Sequence, residues 1–299
     1  MVSREISRPQ TADKRIENIQ ESPKEREMRK KQVLLIGDMV SYGKIATSAM
    51  TPILSHEGFV TYNLPTALVS NNFEYKNYAL LDTTDYIRQT LKVWSTLGFG
   101  FDAVATGFIA SLEQARLVAD FCRGLTEKGI PIFVDPIMGD EGRLYTGMPE
   151  TMVDSMKAML KVAHVCFPNY TEACLLAGRQ YHPDGITADE AFSLVDDVHA
   201  TGAASVVITS MMVDSRPSVV GYNASDDGHF IINYDQLPIQ FSGTGDVFAA
   251  EMIVHLLSGD TLEAAAREAV DTVYRLIYKN RNAQDPYRGI PIEESLDVL

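Results

Sequence analysis

The chain has 299 residues, 45% of them hydrophobic and 22% charged, the balance of a globular protein with a sizeable core. Its net charge of −14 excludes a broad nucleic-acid or anionic-membrane surface, because phosphates reward Lys and Arg. No apolar run approaches the roughly 20 residues needed to span a bilayer, the first residues lack the apolar segment of a secretory signal, and Cys122, Cys166 and Cys174 form no C-x-x-C pair, so we expect reduced thiols and a cytoplasmic location.

Residues 1–30 read as a polar arm, and 31–299 as a single domain. The apolar run 33–36, stopped by Gly37, predicts a buried strand. A helix is expected over 44–57, a strand over 59–63, a helix over 83–97, a strand over 102–106 and a helix over 111–127. The same alternation continues with a strand at 130–134, a helix at 150–161, a strand at 163–166, a short helix at 171–177, a helix at 187–201 and a strand at 205–209. Strands alternating with helices imply βαβ units, hence a doubly wound α/β fold with a mostly parallel sheet and helices on both faces. The pattern then changes. Residues 218–223 and 229–234 flank Asp226-Asp227-Gly228, which predicts a hairpin, and two helices follow at about 246–258 and 261–280. In doubly wound sheets ligands bind beyond the carboxyl ends of the strands. Asp135, Asn169, Thr209 and the turn from Gly37 to Gly43 all fall there.

The strongest chemical signal is Ser242-Gly243-Thr244-Gly245-Asp246 ahead of an apolar helix. Two glycines let the backbone approach a ligand closely, and the free N–H groups of a helix start make an anion site. Phosphoryl transfer needs such a cradle, and a carboxylate beside it can take a proton from the attacking hydroxyl. Taken alone the motif also fits a glycine turn with an acidic residue in the first helical turn. Two further segments, Asp135-Pro136-Ile137-Met138-Gly139-Asp140 and Pro168-Asn169-Tyr170-Thr171-Glu172, place oxygen donors after strand ends, as Mg²⁺ requires. Each alone equally fits a strand stop or an N-capped helix start. Gly37 to Lys44 spaces G-x-x-x-x-x-G-K, one residue too long for a P-loop and followed by Ile45 instead of Ser or Thr, so we reject that motif. The six histidines lack zinc-ligand spacing.

Together these three motifs, in this order, resemble the ribokinase-like superfamily, and within it the pyridoxal/pyridoxamine kinases. The segment from Leu64 to Asn71, Thr106-Gly107-Phe108 and Ile208-Thr209-Ser210 extend the resemblance over about residues 32–285. The resemblance implies that Asp246 is the catalytic base and that Gly243, Thr244 and Gly245 form the anion hole. It implies ATP contacts at Asp140, Asn169, Thr209, Ser210 and Tyr145, with Mg²⁺ organised by Glu172 and Asp135. It places the vitamin B6 ring against Asp38, Thr66, Ser70 and Phe108, and it implies a homodimer. The chain departs from that family at several points: Asp38 stands for a Ser, Asn72 for a His, Phe108 for a Tyr, Ser242 for a Pro, and Phe167 for a Thr that helps hold a monovalent cation in some relatives. The last leaves K⁺ dependence open. Two rival functions are a kinase for another small alcohol, such as hydroxymethylpyrimidine, a sugar or a nucleoside, and a non-catalytic vitamer-binding regulator. Aromatic candidates such as Tyr42 and Phe108 favour a flat ring over a sugar, and a base would serve no purpose in a mere binder.

Overall fold

The computed structural model describes residues 29–299, so the expected arm lies outside the described residues save for its last two. β1 (Gln32–Tyr42), β2 (Val60–Asn71), β4 (Ala103–Thr106), β5 (Ile132–Val134), β8 (Val165–Cys166) and β9 (Ser205–Val213) pair in parallel at the centre of a nine-stranded sheet. Antiparallel strands close both edges: β3 (Leu80–Asp82) beside β2, and β10 (Arg216–Asn223) with β11 (Gly228–Asn233) beyond β9. A two-stranded ribbon, β6 (Gly139–Asp140) and β7 (Arg143–Leu144), stands apart.

Alternation along each strand splits the core in two. Leu34, Ile36, Val104 and Val134 face one layer, which holds the helices α2 (Thr84–Leu97), α3 (Leu112–Thr126), α4 (Thr151–Leu160), α5 (Tyr170–Ala177) and α6 (Ala188–Ala200). Val33, Leu35, Ala103 and Phe133 face the other, formed by α1 (Thr47–His56), α7 (Thr244–Ser258) and α8 (Leu262–Lys279). The sheet runs 11-10-9-8-5-4-1-2-3, so chain order reverses between β1 and β4. That switch point opens a crevice at the carboxyl ends of the strands.

Each helix falls within three residues of its expected bounds, and the hairpin is present. The strands differ more. β1 does not stop at Gly37 but runs on to Tyr42, with an irregular register between Gly37 and Met39. β2 passes through Pro65, which pairs with Gly37 at that irregularity, where a missing N–H is tolerated. The strand ends of β1 and β2, together with β3, thus extend the sheet past the crevice, packing Val40, Ala67 and Val69 with Ile45 and Phe108. β9 likewise runs beyond Thr209 into a further hairpin with β10.

Candidate active site

Asp246 sits in the first turn of α7, and its Oδ2 accepts the Ala46 N–H at 2.7 Å. Ala46 adopts φ 52° and ψ −139°, a costly conformation for a residue with a Cβ, held where β1 turns into α1. Gly243 caps α7 at φ 80°, and a Cβ there would lie 2.7 Å from Ile45 Cγ2 and 3.0 Å from the Lys44 carbonyl oxygen. The glycine is required by space as well as by backbone angle. Gly245 is exposed with open space around it, leaving the helix start accessible. Thr244 directs its hydroxyl to the Phe241 carbonyl at 3.5 Å.

The fold also brings the rejected G-K segment to this turn. Lys44 donates its backbone N–H to the Arg288 carbonyl at 2.6 Å, and its side chain pairs with Glu293. Segment 285–289 packs there, accepting the Ser242 N–H at Pro286 and the Asn72 side chain at Tyr287. These C-terminal partners were not anticipated; long-range packing alone brings them in.

Asp38, Thr47, Gly107, Phe108 and Asp246 line one depression, and Thr106, Gly107, Asp135, Phe167 and Asp246 line the adjoining one. Burial pushes the Asp38 carboxyl up to about 7, and the nearby Asp246 charge adds to this. Burial also raises Asp246 to about 6, opposed by the Ala46 N–H. Asp135 is raised by burial and then by the charges of Glu172 and Asp246. The Asp246 charge thus disfavours ionisation of both Asp38 and Asp135.

Glu172 is 2% exposed and completes a capping box: Oε2 accepts the Asn169 N–H at 2.9 Å while Asn169 Oδ1 accepts the Glu172 N–H at 2.9 Å. Its Oε1 accepts the Met138 N–H at 3.0 Å, and Asn169 Nδ2 donates to the Gly139 carbonyl at 2.9 Å. These bonds hang the β6–β7 ribbon, with exposed Asp140, on the start of α5. Burial drives Glu172 up to about 8 against those backbone donors, with Asp140 adding to the rise. Tyr145 leaves the ribbon bonded through its N–H to the Met138 carbonyl at 3.0 Å, its phenol pushed up by burial and by the surrounding carboxylates, Glu172 first. Thr209 donates its N–H to Pro168 at 3.0 Å and bridges Asn169, and Ser210 at φ 57° turns the strand there.

Two residues that the resemblance places against the ring have internal partners for their hydroxyls. Thr66 is fully buried and gives its hydroxyl to the Phe108 carbonyl at 2.6 Å, so it fixes Phe108 from behind. Ser70 Oγ accepts the Ala79 N–H at 2.8 Å and donates to Asn71 Oδ1 at 2.7 Å, tying the ends of β2 and β3. Phe167 is buried against Phe133 and Phe248, filling with a ring the place where the resemblance expects a threonine.

Residues 53–289 match the family model described as phosphomethylpyrimidine kinase. A pyridoxine/pyridoxal/pyridoxamine kinase of Bordetella avium is 30% identical over 245 residues, covering 78% of this chain and 80% of that one. The chain belongs to the pyridoxal kinase family of the ribokinase-like superfamily. A second family member, the pyridoxal kinase of Dictyostelium discoideum, is 26% identical over 272 residues, covering 85% of this chain and 87% of its own. A solved structure from Bacteroides thetaiotaomicron, described as a phosphomethylpyrimidine kinase and holding pyridoxal, superposes with a TM-score of 0.85 at 32% identity, covering 90% of this chain and 95% of that one. The chain is a kinase of this family, and its doubly wound sheet is the family's fold.

Proposed function

We propose that this protein transfers the γ-phosphoryl group of ATP to the 5′-hydroxymethyl group of the vitamin B6 vitamers pyridoxal, pyridoxine and pyridoxamine. The observation that carries the reading is the Asp246 carboxyl in the first turn of α7, beside the open backbone of Gly243 to Gly245 and lining both depressions of the crevice. Pyridoxal in the Bacteroides neighbour supports the substrate class. Asp246 takes the proton of the attacking hydroxyl, and the N–H groups of Gly243, Thr244 and Gly245 receive the transferring phosphoryl oxygens. Asn169, Thr209 and Ser210 flank the nucleotide side, with Asp140 on the ribbon that borders it and Tyr145 just after that ribbon.

Mg²⁺ fits the donor set, because Asp135, Glu172 and Asp246 offer oxygen alone and repel one another until a cation intervenes. Both Glu172 oxygens already accept backbone N–H bonds, so Asp135 would hold the ion and Glu172 would act on it through water. Among the described residues no three such side chains form a ready cage, which leaves positions for water and phosphate oxygens. When bound, the ion neutralises charge on the phosphates.

A homodimer is the proposed assembly: Leu68 and Leu81, paired across β2 and β3, are exposed at this end of the sheet, an apolar pair that a second copy covers. The buried thiols of Cys122, Cys166 and Cys174 support a cytoplasmic setting. Among the described residues no helix is long and apolar enough to cross a membrane.

The test is ADP release on Mg-ATP with each vitamer, with hydroxymethylpyrimidine and with sugars. Turnover on the vitamers is expected. Turnover on hydroxymethylpyrimidine alone would transfer the assignment to a kinase of pyrimidine alcohols, and turnover on none would point to the binding-only alternative.

A further inference from the structure

Segment 285–289 touches three separate stretches of chain that carry the site. Its Arg288 carbonyl accepts the Lys44 N–H at 2.6 Å, close to Ala46, whose own N–H holds Asp246. Its Pro286 carbonyl accepts the Ser242 N–H at 3.2 Å, immediately before the Gly243 cap of α7. Its Tyr287 carbonyl accepts Asn72 Nδ2 at 2.8 Å, in the loop that follows β2. The approach at Lys44 is close: Gly289 has φ 78°, and a Cβ there would lie 2.1 Å from the Lys44 carbonyl oxygen. Just downstream, Ile290 and Ile292 are buried in the core, so the segment is anchored at that end.

The loop after β2 needs such an anchor. Phe73 to Ala79 are exposed apart from half-buried Tyr75, so apolar packing alone does little to fix them. Polar bonds do it instead. Asn72 Oδ1 accepts the Glu74 N–H at 3.1 Å while its amide nitrogen holds Tyr287. Tyr75 donates its hydroxyl to Asp285 Oδ2, and the Tyr75 and Tyr287 rings meet edge to face with centroids 6.0 Å apart. A phenol on a carboxylate makes a charge-assisted hydrogen bond, the stronger kind. Burial and then this bond push the phenol up to about 12, so it remains the donor across the working pH range. Arg288 adds a further tie, its guanidinium 4.9 Å from the centre of the Tyr42 ring at the end of β1. Between Asn72 and Tyr75 comes Phe73, whose ring centroid is 6.0 Å from that of Phe108. Phe108 in turn lines the depression that holds Asp246, which neither Tyr75 nor Asp285 lines.

Building on the vitamin B6 reading above, we propose that segment 285–289 is a clasp that holds the loop after β2 in register with Asp246, with Tyr75 and Asp285 as positioning residues for the acceptor alcohol. The pair acts through Phe73 and Phe108, on the alcohol side of the crevice. Asn169 and Thr209, on the nucleotide side, bond to each other's neighbours and to the β6–β7 ribbon, so the clasp leaves that side alone.

The experiment measures kcat, KM for pyridoxal and KM for ATP in the full-length wild type, in Tyr75→Phe, in Asp285→Asn and in the double variant, with the thermal midpoint of each. Either single variant is expected to raise KM for pyridoxal by about 3- to 10-fold, the lower range for one charged hydrogen bond because this one is half-exposed. KM for ATP is expected to stay within about twofold of the wild type. The double variant is expected to be no worse than either single one, since losing one partner already breaks the bond. Tyr75→Phe removes a single oxygen and keeps the ring, so it decides the matter if Asp285→Asn fails to fold. A Tyr75→Phe variant with pyridoxal KM within about twofold of the wild type would overturn the proposal. Equal rises in both KM values would overturn it in favour of general loosening, and additive losses in the double variant would overturn the pairing. No wild-type turnover on any vitamer would instead overturn the functional reading, and with it the proposal that rests on it.

Discussion

At Asp246 burial and hydrogen bonding oppose each other. Burial holds the proton on, and the Ala46 N–H draws it off, leaving the carboxyl at about 6. That value suits a base, since it is ionised at neutral pH yet more basic than a free aspartate. Two outcomes follow at this residue. Asp246→Asn is expected to lower kcat by about 10²- to 10⁴-fold while ATP still binds; near-wild-type turnover would remove Asp246 from the chemistry. In the wild type, kcat/KM is expected to fall as pH drops through about 6, because the base must be unprotonated in the free enzyme. A profile flat from pH 5 to 8 would assign proton removal elsewhere.

Helix α7 makes this site and also carries its most awkward side chain. Its start depends on Gly243 at φ 80°, wedged against Ile45 and Lys44. Gly243→Ala must strain the backbone or displace the segment that holds Ala46 against Asp246. We expect a loss of about 1–3 kcal/mol in stability and a lower kcat; a variant with wild-type kcat would show that the turn tolerates a shift. Further along, Glu251 is 3% exposed, and its Oε1 has no hydrogen-bond partner among the described residues. Burial lifts it to about 7, against the pull of His255 and with Glu57 adding to the rise. The folded pKa lies above the unfolded one, so the sign is fixed. Below about 4.5 both states hold the proton and Glu251 has no cost; between there and about 7 the unfolded chain releases it first, and stability falls as pH rises. Glu251→Gln is expected to leave the thermal midpoint near pH 4.5 almost unchanged and to raise it at pH 8, by an amount equivalent to about 1–3 kcal/mol. Equal effects at both pH values would mean that the ionisation carries no weight.

For the whole molecule, the crevice gathers Asp38 from β1, Asp135 from the end of β5 and Asp246 from the start of α7, and the edge leaves leucines bare. Excess EDTA is expected to abolish turnover and added Mg²⁺ to restore it, with Glu172→Gln raising the Mg²⁺ concentration required; full activity in EDTA would refute the metal assignment. Leu81→Glu places a charge in the exposed strip at the β2–β3 edge, and sedimentation is expected to show a shift from dimer towards monomer. An unchanged sedimentation coefficient would move the interface to another face.

The helices, the parallel sheet and the late hairpin were legible in the sequence because they are written in local periodicity and turn chemistry. The Gly243-Thr244-Gly245-Asp246 motif was legible for the same reason: a glycine turn, a helix start and a carboxylate lie within five consecutive residues. What lies between distant residues was not. Pro65 in β2 hid a strand that survives only because Gly37 in β1 breaks register opposite it. The partners of the Thr66 and Ser70 hydroxyls, the Phe108 carbonyl and the Ala79 N–H, exist only once the sheet is assembled. The Ala46 N–H on Asp246, 200 residues away, and the C-terminal segment over Lys44 belong to the same class. Local pattern thus determined which elements form and where the reactive motif lies. Tertiary packing decided which side chains were already committed to one another and which, like Asp38 and Asp246, came to line the same crevice.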